Sequence, residues 1–340
     1  MNTPRAHINA IGTAVPRHDV HQAFIDWALK QIDDRRAAAL FQRMAARSGI
    51  AHRWSVVPGP AEFYRNGALP PTSTRMEVYA EAAPALALEA IGEVDAAGVT
   101  HLVVASCTGF VAPGIDQIIA ARLGLPPSVE RTLVGFMGCY AAVAALRVAH
   151  HIVRSEPTAR VLVVTVELST LHLQATGEVE RLLAMLQFAD GAAAALVSAE
   201  PVGLAIGDFF ASALPDSSDM IRWTIGDTGF VMHLSGSVPG RIGEALRDTD
   251  FGRSLIADTG VWAVHAGGRS ILDAVEHGLG LSGDALAASR AVLRDYGNMS
   301  SATLMFVLAA LMRDETAAPG LAIAFGPGIA AEGFRFRWAP

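Results

Sequence analysis

Short runs of uninterrupted apolar residues recur along this chain, and most lead into segments with helical spacing. HLVVAS (101–106) passes through CTGFVAPG into the helical pattern DQIIAARLG. RVLVVTVE (160–167) follows a long helical segment, GCYAAVAALRVAHHIVRSE, and GAAAALVS (191–198) is a further strand. In the second half VWAVH (261–265) leads through AGG into RSILDAVEHGLG, and LAIAFGPG (321–328) ends in a Gly/Pro turn. Strands that stay apolar at every position, instead of alternating, are covered on both faces, so the pattern predicts an α/β architecture of sheets between helices. The two halves echo each other: each has a strand, a glycine-containing loop with a reactive residue type, and then a helix. This predicts a duplicated α/β unit, with halves 1–200 and 201–340. PGPAEFYRNGALPP (58–71) reads as a surface loop.

Composition narrows the class. The chain has 340 residues, 51% hydrophobic and 17% charged, with a net charge of −7. A well-packed globular protein is expected, and neither nucleic acid nor an anionic membrane is expected as its main partner. The N-terminus carries no apolar core of signal-peptide length, and no stretch reaches the roughly 18 uninterrupted apolar residues of a spanning helix, so a soluble, cytoplasmic protein is expected. Two cysteines, Cys107 and Cys139, exclude a disulfide scaffold. No CxxC, no HExxH and no GxGxxG in a dinucleotide context occurs, so no metal or redox cofactor is expected.

Three residues stand out chemically. Cys139, in VGFMGCYAAVAALRVAH, lies between a glycine-bracketed turn and the start of an Ala-rich helix. A thiol there feels the positive end of the helix dipole, which favours the thiolate; a small buried packing residue is the alternative. Cys107, in SCTGF, opens no helix directly and reads as a packing residue. His265 ends a strand and is followed by Ala-Gly-Gly, a placement that suits acid–base work, although a satisfied core histidine has the same surroundings. Asn298, in DYGNMSSATLMFVLAALM, fits a helix N-cap or an amide aimed at a developing oxyanion. A nucleophile, an imidazole partner and an oxyanion donor are what acyl transfer to sulfur requires, and a cysteine hydrolase uses the same three types.

NAIGTAVP, CTGFVAPGID, GFMGCYAA, VELSTLHLQ, LQFADGAAAALV, HAGGRSILDAVE, DYGNMSSATLMFVL and AFGPGIAAEGF, in that order, resemble the chalcone synthase-like type III polyketide synthases. The resemblance implies a thiolase-like fold of layered α/β/α/β/α halves, a homodimer, and condensation of malonyl-CoA onto an acyl-CoA starter without a cofactor. It implies that Cys139 carries the acyl chain, and that His265 and Asn298 promote malonyl-CoA decarboxylation and stabilise the enolate. Phe188 matches a gatekeeper phenylalanine, Ser300 a serine lining the cavity, and Gly326 and Pro327 belong to a scaffold loop beside it. Arg43 and Arg47, one helical turn apart in LFQRMAARSG, match basic residues that contact coenzyme A phosphates; a solvated helix face is the alternative.

Departures from the family pattern concentrate in the predicted cavity. Met232 replaces a second gate phenylalanine, its register fixed by the downstream VPG, and methionine is thinner and more flexible than a ring. His172 and Cys107 each replace a cavity threonine of plant members. Thr108 falls beside Cys107, and Trp223 falls near a plant glycine. HAGG stands for the usual HPGG, and Ala112 replaces a methionine that reaches the neighbouring subunit. A chalcone-forming cavity is therefore not expected. Two rival readings share the fold: a β-ketoacyl-acyl-carrier-protein synthase III-like enzyme making one condensation, and a non-catalytic thiolase-fold partner subunit.

Overall fold

A computed structural model describes residues 4–60, 69–247, 249–314 and 318–339. Of the predicted loop 58–71, residues 61–68 lie outside the described residues. The principal sheet comprises β1 (His7–Ala14), β4 (His101–Ser106), β5 (Glu130–Gly135), β6 (Val161–Leu168), β7 (Asp190–Ser198), β8 (Gly203–Ala213), β11 (Val261–Val264), β12 (Gly320–Gly326) and β13 (Ala330–Ala339). β2 (His18–Asp19) pairs with β3 (Trp54–Ser55), and β9 (Ile221–Gly226) forms a hairpin with β10 (Gly229–Leu234). The five predicted apolar strands are all present, with ends within two residues of the sequence reading. β1, β5, β8 and β13 were not predicted: β1, β8 and β13 carry polar or half-exposed positions along their length, and ERTLVG of β5 mixes charge with apolar residues because it is an edge strand, paired on one side only and exposed at most positions.

The principal sheet runs β11-β12-β13-β8-β1-β7-β6-β4-β5. Outward from its centre, β1-β7-β6-β4 and β8-β13-β12-β11 have the same order and the same senses: two antiparallel steps and then a parallel one. The two halves meet where β1 pairs antiparallel with β8.

Strand residues divide by parity between the two faces. Val103, Ala105, Val161 and Val163 pack inward with the buried helices Ala141–Ser155 and Ser301–Arg313, as do Ala263, Ala322 and Ala324 from the other half. Leu102, Val104, Leu162 and Val164 face outward against the helix Thr72–Ile91, while Trp262, Val264, Leu321 and Ile323 meet the helices Val238–Leu246 and Arg269–Leu279. Helices, one wing of the sheet, the paired central helices, the other wing and helices thus form five layers. The central pair is rich in alanine, which allows the two wings of the sheet to close on it from opposite sides. Its N-termini point toward the site.

Candidate active site

Cys139 sits in a single 3-10 turn, Gly138–Tyr140, between β5 and the central helix Ala141–Ser155. Gly138 takes φ +73, and a Cβ there would lie 2.4 Å from Cδ of Pro327, so only glycine fits. A Cβ on Gly326 would likewise lie 2.6 Å from the Tyr140 ring and 3.4 Å from the backbone nitrogen of Cys139. The AFGPG segment of the second half is therefore pressed onto the nucleophile turn of the first. His265 follows β11 directly, and its N–H donates to the Ile323 carbonyl at 2.8 Å. Asn298 precedes the other central helix, and its backbone is bridged to Phe188: the Asn298 N–H donates to Gln187 (2.8 Å), and the Ala189 N–H donates to the Asn298 carbonyl (2.9 Å).

Cys139, His265 and Asn298 line one cavity of about 950 Å³, together with Phe188, Trp223, Met232, Ser300, Cys107, Thr108, Gly326 and Pro327. Asn298 is not the helix N-cap, since Ser300 holds that position. Its Oδ1 accepts from the Ser300 N–H at 2.9 Å, and its Nδ2 donates to the Gly267 carbonyl at 3.0 Å. An amide has two N–H donors, so one remains for a ligand. Ser300 adopts φ +48, a strained conformation for serine, and brings its Oγ to 3.7 Å from Cys139 Sγ.

The electrostatics oppose one expectation. Burial pushes the Cys139 thiol up to about 12 and the His265 imidazole down to about 3. Neither ring nitrogen of His265 has a hydrogen-bond partner. Both shifts favour the neutral forms and so run against the thiolate that a helix dipole would favour.

His172 is a second correction. It is absent from the wall of the large cavity and lines an adjoining pocket of about 60 Å³. Its Nε2–H donates to the Thr108 carbonyl (2.7 Å), its Nδ1 accepts from the Phe230 N–H (3.0 Å), and its ring stacks on Phe230 at 4.1 Å. Both nitrogens are committed, so the imidazole acts as a brace for the β9–β10 hairpin. Phe188, Trp223 and Met232 line both spaces and separate them.

Arg43 and Arg47 are exposed and lie off the cavity wall, and Arg47 caps the helix Arg35–Ala46 from just beyond its end. From the same helix Leu40 and Met44 line the cavity, unanticipated because they read as surface residues of an amphipathic helix. Glu167 was also missed. Fully buried beneath the site, it accepts from the Cys107 N–H (2.9 Å), Thr108 Oγ1 (2.9 Å) and Ser301 Oγ (2.5 Å), and burial raises it to about 7. A lone carboxylate in the apolar strand VLVVTVEL was the available signal. Among the described residues no group of three His, Cys, Asp or Glu side chains is placed to hold a metal ion, and no helix is long and apolar enough to cross a membrane.

Residues 1–201 match the chalcone and stilbene synthase N-terminal domain, and residues 209–340 match the C-terminal domain. The chain belongs to the chalcone and stilbene synthase family. Bisdemethoxycurcumin synthase of Oryza sativa subsp. japonica is 36% identical, with 95% of this chain and 90% of that protein covered. The alpha-pyrone synthesis polyketide synthase-like Pks18 of Mycobacterium tuberculosis is 32% identical, covering 98% of this chain and 91% of the other. The crystal structure of PKS-I from the brown alga Ectocarpus siliculosus superposes with a TM-score of 0.89 at 31% identity, covering 99% of each chain. The protein is thus a type III polyketide synthase of thiolase-like fold, an acyltransferase.

Proposed function

We propose that the protein condenses malonyl-CoA repeatedly onto an acyl chain held as a thioester on Cys139, and that the resulting poly-β-keto chain cyclises in the 950 Å³ cavity. The convergence of Cys139, His265 and Asn298 on that one cavity carries this reading. A starter acyl-CoA enters beside Leu40 and Met44. As its thioester carbonyl approaches, His265 takes the Cys139 proton and the sulfur attacks; coenzyme A leaves as the thiolate, which solvent protonates, and His265 keeps the proton. The proton need not reside on His265 beforehand, since burial favours the neutral form of both groups and the transfer accompanies attack. Malonyl-CoA follows. Loss of CO2 leaves an enolate whose oxygen receives the free N–H of Asn298 and the protonated His265, fixed donors in a site with little water. The enolate carbon attacks the acyl thioester, Cys139 leaves as the thiolate, and the longer chain returns to it from coenzyme A. Arg43, in the last turn of the helix Arg35–Ala46, and Arg47, at its C-cap, meet the coenzyme A phosphates by charge. Coenzyme A thioesters supply the electrophile and the leaving group, so the cycle needs no further cofactor.

We further propose a homodimer. β5 leaves one edge unpaired, and Phe110, Leu133 and Phe136 are exposed on or beside it, a combination that a second copy would cover. Mass spectrometry of products from a panel of acyl-CoA starters with labelled malonyl-CoA tests the central reading. Two or more incorporated extender units are expected. Products stopping at one unit would indicate the single-condensation enzyme, and no condensation with any starter would sink the reading.

A further inference from the structure

Arg53 touches none of the reacting groups, yet it lies behind two of them. It is 2% exposed. Nη1 donates to the carbonyls of Phe188 (2.7 Å) and Met185 (3.3 Å), and Nε donates to Nδ1 of His21 at 3.1 Å. The guanidinium lies 4.7 Å from the centre of the Phe24 ring. Its own backbone is anchored too: the N–H donates to Asp19 Oδ1 (3.2 Å), and the carbonyl accepts from the Val20 N–H (2.8 Å). The aliphatic stem presses on the residue before Asn298, since a Cβ on Gly297 (φ +71) would fall 3.0 Å from Arg53 Cγ. One side chain therefore grips the carbonyl of Phe188 and abuts the approach to Asn298, two backbones already bridged to each other.

A buried cation is costly, and well-packed apolar residues often replace one without loss of stability. Arg53 stays charged at neutral pH, for burial lowers it only to about 10, with Asp19 and Asp190 opposing the shift. Nη1 holds two carbonyls just at and beyond the end of the helix Val179–Met185, where the dipole favours a cation, while Nε on the same rigid plane holds His21, a spread that a lysine ammonium does not reproduce. We infer that Arg53 is a positioning residue for chain extension: by fixing Phe188 and Gly297 it sets where the Phe188 ring and the Asn298 amide meet the substrate.

This inference rests on the proposed condensation chemistry and has a specific consequence. Loading of Cys139 uses His265 and the nucleophile turn, which Arg53 does not touch, whereas decarboxylation uses Asn298. Removing Arg53 separates the two steps. The test measures acyl groups bound per chain by intact mass after mixing with acyl-CoA, and then CO2 released from malonyl-CoA per acylatable chain. Arg53→Met, which keeps the stem, is expected to load to the wild-type extent but release CO2 roughly 100-fold more slowly, the usual consequence of about 1 Å of misplacement. Arg53→Lys restores part of that rate. Products should also become shorter, because Phe188 no longer holds the cavity open at a fixed width. CO2 release within about twofold of wild type, or loading and release falling by the same factor, overturns the inference. If Arg53→Met does not fold, Arg53→Lys and His21→Leu carry the test, and an unchanged ratio of release to loading in both is equally decisive. A wild-type protein that releases no CO2 would overturn the function itself.

Discussion

The two halves of this enzyme have the same strand order and different chemistry at equivalent positions. β4 ends at Ser106 and delivers Cys107; its counterpart β11 ends at Val264 and delivers His265. The central helix of the first half is preceded by Cys139, that of the second by Asn298 and Ser300. Cys107 Sγ is already engaged, accepting the Gly138 N–H at 3.0 Å, and burial with the nearby Glu167 raises its thiol well above the usual range. Both nitrogens of His265 are free. Equivalent positions thus carry one engaged support and one group whose ring nitrogens have no partner, and the difference lies in what each atom already binds. The same rule separates the two sulfurs: Cys107 holds the turn, and Cys139, with only Ser300 Oγ at 3.7 Å, is left to react.

That contrast breaks most directly at Cys139. Cys139→Ala should lose all extended product, a fall of at least about 10⁴-fold, whereas Cys107→Ala should still bind one acyl group per chain by intact mass. Acyl transfer to Cys107 in the first variant would reverse the assignment. Asn298→Ala should keep acyl loading and lose roughly 10²–10³-fold in malonyl-CoA decarboxylation, the range for removing one oxyanion donor.

Alkylation sharpens the contrast without mutation. Because burial pushes Cys139 up to about 12, its reaction with iodoacetamide should rise about tenfold per pH unit from pH 7 to 10, with Cys107 modified far more slowly. A rate already flat above pH 6 would mean that the thiolate–imidazolium pair pre-exists. The smallest effect concerns Glu167. Burial raises it from 4.5 to about 7, so the folded protein holds this proton more tightly than the unfolded chain does. Its contribution to stability is complete below about pH 4.5 and is lost as pH rises through 7. Glu167→Gln should flatten the fall in urea midpoint between pH 5 and 8; an unchanged slope would show that the carboxyl titrates normally.

Much of this was legible in the sequence, for physical reasons. Strands buried on both faces read as unbroken apolar runs, so β4, β6, β7, β11 and β12 were all visible. Edge strand β5 and the hairpin β9–β10 carry surface-like sequences and were not. Cys139, His265 and Asn298 were each ambiguous locally, and what drew them out was that each lies within two residues of a glycine at the end of an element and that together they supply one chemistry. Local sequence says nothing of what a side chain meets across the molecule. That hid Arg53, whose carbonyl partners at Met185 and Phe188 lie more than a hundred residues away, and it placed His172 on the cavity wall when the Phe230 backbone had already claimed its ring. Burial opposes the dipole-favoured thiolate at Cys139 for the same reason: a helix dipole is a local feature, while the dryness of the pocket is made by the whole fold.

The fit of Pro327 against Gly138 has a consequence for how such a molecule changes over evolutionary time. Because two halves of like strand order interlock so closely, the shape of the nucleophile turn is written partly in the other half, and neither half can be discarded or exchanged alone. Innovation is then channelled to surfaces that face only substrate, such as Met232, while the seam between the halves is held fixed.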